Sequence, residues 1–254
     1  MAAAKMNLAR PRLAVFALLA GAARLVAQDG GEPKVTADFG YVSRYVFRGI
    51  ERAGSSAQAS VEYAADGFRG RVWTSRPLHR GESGETDLTA AYGRQVGEKL
   101  NVELALTGYR FTRPAAGAAA SSVEATLSAT FASVGGVTPS IAVRRDFRLE
   151  ADSVQASFAY SVALPQLGAF LELGAFAGWS DARNARPDAA GPRAGDGYGY
   201  GGGEARIPYR VGAHTTVIAG VQATTTVGRG PAWPAAGRPA RSNLWLTLGV
   251  SFDF

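Results

Sequence analysis

The sequence predicts an all-β fold: an up-and-down antiparallel transmembrane β-barrel of about 12 strands. Three observations carry that expectation. After residue 27 apolar residues recur at every second position, the connections alternate between short and long, and the chain ends on an alternating strand whose last residue is Phe254. No helical period of consequence competes with the two-residue one.

Composition narrows the chemistry. The 254 residues include 2 His and no Cys, which excludes disulfide scaffolds, thiolate zinc sites, cysteine nucleophiles and haem attachment through paired cysteines. No metal site and no cofactor is expected. Four basic residues, Lys5, Arg10, Arg12 and Arg24, precede residue 28, where no acid occurs; without them the formal charge falls from +6 to +2. The remaining charges are of both signs and interspersed, a poor footprint for nucleic acid, so no such partner is expected.

Residues 1–27 read as a signal peptide. They hold a basic start, an apolar run from Leu13 through Leu19 and small residues ending near Ala23 or Ala27. The run is far short of the roughly 20 residues of a membrane-spanning helix, so export and removal of the segment are expected. Residues 28–254 form the barrel domain. Stability without disulfides in an exported chain then rests on the sheet itself.

The alternation places strands near 34–49, 57–64, 67–75, 86–94, 99–111, 122–132, 137–147, 153–163, 169–180, 197–209, 213–226 and 242–254. In the fifth, Leu100, Val102, Leu104 and Leu106 share one parity while Asn101, Glu103, Ala105 and Thr107 share the other, so one face is apolar and one polar. The second and third strands are joined by little more than Ala65-Asp66-Gly67, the fourth and fifth by Gln95 to Glu98. Longer connections run from Arg76 to Glu85, Thr112 to Ser121, Asp181 to Asp196 and Gly228 to Arg241. Short turns on one side and long loops on the other are the pattern of an outer-membrane barrel, and the order of the turns puts both termini on the short-turn, periplasmic side.

Burial alone does not separate a membrane barrel from a soluble sandwich, because either alternates. The polar parity here is rich in small and hydroxyl residues with scattered charges, as a lumen would be, and several strands reach the roughly ten residues that a tilted membrane strand needs. The last strand carries Leu244, Leu246, Leu248, Val250, Phe252 and Phe254 on one parity. It resembles the C-terminal signature of bacterial outer-membrane proteins. That likeness implies an assembly signal at Phe252 and Phe254, with the barrel-assembly machinery and outer-membrane lipids as partners.

The first strand and hairpin carry a more specific resemblance. Ser43-Arg44-Tyr45-Val46-Phe47-Arg48-Gly49, then Gly67-Phe68-Arg69-Gly70-Arg71-Val72-Trp73-Thr74-Ser75, is similar to the opening of the TorF family of outer-membrane porins. That family opens Ser-Asp-Tyr-Arg-Phe-Arg-Gly, followed by a Gly-Phe and Gly-Val-Trp-Ala-Ser hairpin. This chain departs from it at Arg44 and Val46. The likeness is clearest over residues 35–110 and implies a barrel and a pore in the bacterial outer membrane, without naming a substrate.

Parity selects the residues expected to line the lumen. On the first strand Val35, Ala37, Phe39, Tyr41, Tyr45 and Phe47 share the aromatic parity. With these facing lipid, Arg44 and Arg48 point inward, since a lipid-facing Arg at mid-depth costs about 2–4 kcal/mol. The same logic puts Asp38, Glu62, Arg69, Arg71, Asp87, Glu103, Glu124, Arg144, Asp146, Glu172, Glu204 and Arg206 inside. So near a balance of signs fits either an aqueous channel of little selectivity or groups that pair across the bore and plug it. Trp73 and Trp245 also have lumen parity, which means a constriction, a rim position or a slipped register. Tyr41, Tyr45, Phe47, Tyr63, Tyr92, Tyr109, Trp179, Tyr209, Trp245 and Phe254 lie mostly near strand ends, where rings favour the headgroup level; Trp233 falls in the last long loop.

Enzymatic readings lack a site. A serine nucleophile needs a base within hydrogen-bond reach, and only His79, in an outside loop, and His214, at the start of a strand, are available. Neither belongs to a recognisable Ser/His motif. Gly197-Tyr198-Gly199-Tyr200-Gly201-Gly202 matches a dinucleotide-binding pattern, but no helix follows it; a weak tenth strand with interfacial tyrosines is expected instead. The function expected is a porin passing small hydrophilic solutes, not an enzyme. The alternatives are a plugged structural or loop-binding barrel and a lipid-modifying one.

Overall fold

The computed structural model describes residues 33–114, 119–181, 197–228 and 242–254. Residues 1–27, read above as a signal peptide, Trp233 and most of the two longest connections lie outside the described residues. Twelve strands close into one antiparallel barrel: β1 (Lys34–Val42), β4 (Ser56–Ala65), β5 (Phe68–Pro77), β6 (Gly84–Val96), β7 (Leu100–Thr112), β8 (Ser121–Phe131), β9 (Val137–Asp146), β10 (Ala151–Leu164), β11 (Ala169–Asp181), β12 (Gly197–Arg210), β13 (Thr215–Gly228) and β14 (Ser242–Asp253). Two short strands, β2 (Tyr45–Phe47) and β3 (Ile50–Ala53), pair with each other outside the barrel sheet.

Closure is made by β1, which pairs with β4 on one side and with β14 on the other, from Thr36 opposite Asp253 to Val42 opposite Thr247. Every barrel strand is paired on both sides, so the wall has no open edge strand. The short turns are built from residues that accept a left-handed backbone. Asp66 and Gly67 have φ of 46° and 83°, the geometry of a two-residue type I′ hairpin. Lys34 and Asp253 both sit at the short-turn end of the barrel, where their side chains form an ion pair 2.5 Å long.

The polarity of the wall is inverted relative to a soluble protein. Large apolar side chains are exposed on every strand of the wall, among them Phe39, Leu88, Leu104, Leu127, Phe158 and Leu246, while Thr36, Asp38, Ser60, Asn101, Thr130, Ser157 and Thr226 are buried. Soluble monomers rarely expose an apolar surface that encircles them, whereas a membrane barrel presents such a band to lipid. Leu127, at the middle of β8, is half exposed on that band. Leu127→Arg is expected to destabilise the barrel in phospholipid vesicles by about 2–4 kcal/mol, read from the urea dependence of folding. Leu127→Ala should cost far less.

The first strand is shorter than its alternation suggests. β1 ends at Val42, not near residue 49. At Ser43 the chain leaves the wall, held by Ser43 N–H donating to the Leu246 carbonyl at 3.0 Å and by Leu246 N–H donating to Ser43 Oγ at 3.0 Å. The alternating run beyond this point belongs to the β2–β3 hairpin, and it folds inward.

Candidate functional site

The hairpin exists because Arg48 and Gly49 both take a left-handed backbone, φ 48° and 77°, which closes a two-residue type I′ turn between Phe47 and Ile50. Gly49 is required twice over: a Cβ there would run into the Thr226 side chain and come within 2.9 Å of Tyr200 Cβ. Its own base is closed by Tyr45 N–H donating to the Gly54 carbonyl, 3.2 Å. Gly54 N–H in turn donates to Glu82 Oε2 at 3.1 Å, tying the base to the β5–β6 connection.

From there the hairpin spans the bore. Tyr45 and Val46, 2% and 1% exposed, form an apolar cluster with Val42, Ala53, Trp73 and Trp245, and Phe47 packs against it. Tyr45 lies 5.7 Å from the Trp73 ring and its hydroxyl donates to Glu85 Oε2 at 2.5 Å. Phe47 meets Tyr109 edge to face at 6.3 Å. At the tip, one terminal nitrogen of Arg48 donates to both oxygens of Glu124 at 2.7 Å, and both side chains are 4% exposed. Glu124 also accepts from the Tyr109 hydroxyl at 3.1 Å, and the Gly49 carbonyl accepts from Asn243 Nδ2 at 3.3 Å. Each of these partners lies a few residues from the long-connection end of its strand, so the hairpin sits across that end of the barrel.

Most of the predicted lumen residues fall into three groups. Arg48 and Glu124 meet at the hairpin tip. Toward the short-turn end, charged pairs lie along the wall: Arg69 donates to Glu103 at 2.7 Å and Glu62 at 3.4 Å, and Arg206 approaches Glu172 at 3.4 Å and Glu204 at 3.5 Å. Gly220 makes room for this, since a Cβ there would come within 2.8 Å of Arg206 Cγ. The third group bonds to hydroxyls or backbone. Asp38 accepts from Ser60 Oγ at 2.9 Å, Arg71 donates to the same hydroxyl at 3.2 Å, and Asp146 accepts from Ser122 at 2.6 Å. Asp87 and Arg144 are partly buried on the inward parity of β6 and β9.

Several expectations need correction. Arg44 does not point into the barrel: it stands at the bend after β1, with its side chain 47% exposed and ion-paired to Glu51 at 3.4 Å. Tyr45 and Phe47 do not face lipid, because the turn at Arg48-Gly49 carries them inside. Tyr198 and Tyr200 are not interfacial either; they are buried with Phe176 and Ile50 beside the hairpin. Gly178 allows this, since a Cβ there would lie 2.7 Å from the Tyr200 hydroxyl, which donates to Gln155 Oε1 at 2.9 Å. Glu85, read as the end of a loop, is buried on β6, and Arg52 lies over the Phe47 ring at 5.4 Å. Trp73 and Trp245 hold their inward positions as platforms for the hairpin. The sequence signal that could have pointed to the hairpin was the pair of large rings, Trp73 and Trp245, at lumen parity.

His79 Nδ1 lies 3.5 Å from Ser55 Oγ at an exposed position, too long for a firm hydrogen bond, and His214 sits in the turn before β13. Among the described residues no cluster of three or more metal-ligating side chains occurs.

Removing one partner of a buried ion pair leaves an uncompensated charge, at a cost of about 3–5 kcal/mol. The chain has no Cys, so Val46→Cys provides a single buried thiol on the hairpin. Arg48→Glu in that background is expected to raise its labelling rate by a water-soluble maleimide at least tenfold, and adding Glu124→Arg should restore slow labelling. Equal rates in all three would remove the pair from the hairpin's anchorage.

No protein-family model matches the chain, and no curated protein matches it. Solved structures do. A KdgM porin superposes with a TM-score of 0.55 at 10% identity, covering 86% of this chain and 99% of that one. A KdgM porin in complex with disordered oligogalacturonate gives 0.53 at 9% identity, over 87% and 99%. A NanC porin gives 0.52 at 9% identity, over 86% and 98%. The chain therefore has the 12-stranded antiparallel barrel fold of bacterial outer-membrane porins.

Proposed function

We propose that this protein is an outer-membrane porin that passes small hydrophilic solutes by passive diffusion and is narrowed by its own hairpin. The observation that carries the reading is the polar interior. The hydroxyls of Thr130, Ser153, Thr224, Thr226, Thr247 and Ser251 are buried on inward positions without a hydrogen-bond partner among the described residues. Burying a hydroxyl unpaired costs about 1–3 kcal/mol on protein scales, a cost that water in the bore removes. With short turns and both termini in the periplasm, the hairpin narrows the extracellular end. The TorF likeness supports the same assignment, since its most specific segment, residues 43–49, builds the hairpin. The reading assigns no catalysis and no cofactor.

Interior charge suggests the solute class. Arg48, Arg52, Arg69, Arg71, Arg144 and Arg206 face nine acids: Asp38, Glu62, Glu85, Asp87, Glu103, Glu124, Asp146, Glu172 and Glu204. An excess of carboxylates concentrates cations and repels anions. Neutral and cationic solutes fit this interior better than a polyanion such as the oligogalacturonate seen with a KdgM porin. In planar bilayers under a KCl gradient, the reversal potential is expected to show K⁺ preference, weakening as salt rises. Anion preference would contradict the charge reading. A barrel sealed by the hairpin is the second reading, favoured by the burial of the Arg48–Glu124 pair, and protein verified as inserted yet electrically silent would select it.

The reading also assigns the last strand to assembly. Phe252 lies on the outward parity of β14, and Phe254, just past its end, is 74% exposed. Phe252→Asp with Phe254→Asp in the expressed full chain should abolish the heat-modifiable folded form in outer-membrane fractions. Normal accumulation would remove this segment from recognition by the assembly machinery.

A further inference from the structure

The outer wall carries a groove of about 650 Å³ across β6 to β9, toward the long-connection end. Its floor is one row of the sheet. Leu88 pairs with Gly108, Gly108 with Val123, and Phe147 N–H donates to the Val123 carbonyl at 2.9 Å. Leu88, Val123 and Phe147 are exposed apolar side chains, and Gly108 between them leaves a trough. The trough is not demanded by the protein's own packing, because a Cβ on Gly108 would meet only the Leu88 carbonyl, 4.0 Å away. A glycine inside a strand weakens it, and with no bulge or protein contact here it leaves room for a group from outside.

The row nearer the long connections is basic. Arg110 pairs in register with Ser121, and Arg148 donates through one terminal nitrogen to the Ser121 carbonyl at 3.0 Å and to its hydroxyl at 2.9 Å. That bond fixes one edge of the Arg148 guanidinium beside Arg110 and leaves the other edge available. The Arg110 side chain is exposed and makes no hydrogen bond or ion pair among the described residues. Two arginines directly above an apolar trough match an anionic headgroup above an acyl chain.

We propose that this groove binds one anionic, phosphate-bearing lipid of the leaflet at that end, with a phosphate between Arg110 and Arg148 and an acyl chain laid over Gly108. The proposal rests on the reading that the outer wall faces lipid. Native mass spectrometry of the refolded full chain in detergent, with phosphatidylglycerol or phosphatidylcholine of matched chains, tests it. One phosphatidylglycerol should be retained at least tenfold more strongly than phosphatidylcholine. Arg110→Ala with Arg148→Ala should erase that preference, and Gly108→Leu should weaken retention of phosphatidylglycerol with both arginines intact. Equal retention of the two lipids, or no effect of the arginine pair, would overturn the proposal, as would equal competition by acyl-free glycerol phosphate. Insertion of the same samples into vesicles, followed by heat modifiability, separates the two claims. Inserted protein without lipid preference defeats the groove alone, and protein that never inserts defeats the lipid-facing wall and the groove with it.

Discussion

Closure of β1 onto β14 is the constraint on which the rest of this molecule depends. A sheet whose outer face is apolar and whose surroundings offer no hydrogen bonds has no tolerance for an unpaired edge, since each unsatisfied backbone group costs several kcal/mol there. Twelve strands meet that requirement by returning the last strand to the first, from Thr36 opposite Asp253 to Val42 opposite Thr247. Once the wall is closed, the two-residue period sorts every side chain to lipid or to the interior. The inside then has to be either packed or wet.

Here the filling changes with depth. Near the long connections the β2–β3 hairpin brings its own apolar residues, Tyr45, Val46 and Ala53, onto Trp73 and Trp245, so that part of the bore has a small core. At its tip the solution changes from packing to charge, with Arg48 and Glu124 neutralising each other where both are buried. Toward the short-turn end the ion pairs of Arg69 and Arg206 run along the wall between strands one or two apart. Glycines at inward positions, such as Gly220 under Arg206, let long side chains lie flat. A side chain held along the wall occupies less of the bore than one held across it.

Much of this was legible in the sequence because a barrel wall is a local object. Alternation such as Leu100, Val102, Leu104 and Leu106 against Asn101 and Glu103 is set by the geometry of one strand, and Asp66-Gly67 is a turn pair whose backbone preference is carried by the two residues alone. The hairpin was not legible, for two physical reasons. Tyr45 and Phe47 continue the parity of Phe39 and Tyr41, so periodicity has no break at Ser43. Arg48 is a poor indicator of a left-handed backbone, and its φ of 48° is maintained by the distant anchor at Glu124. Glu85 and Tyr200 were misplaced for the same reason, as their positions follow from a segment that crosses the barrel. Trp73 and Trp245 were the one visible trace: large rings at lumen parity that made sense only once something inside packed on them.

The claim that the hairpin narrows a water-filled bore is tested most directly by single-channel conductance. The full chain would be compared in a planar bilayer with a variant in which residues 44–54 are replaced by a two-glycine link. The account predicts stable, salt-dependent steps for both proteins, with clearly larger steps for the variant. Steps of equal size would place the constriction elsewhere, and silence from a variant shown to be inserted and heat-modifiable would contradict the existence of the pore.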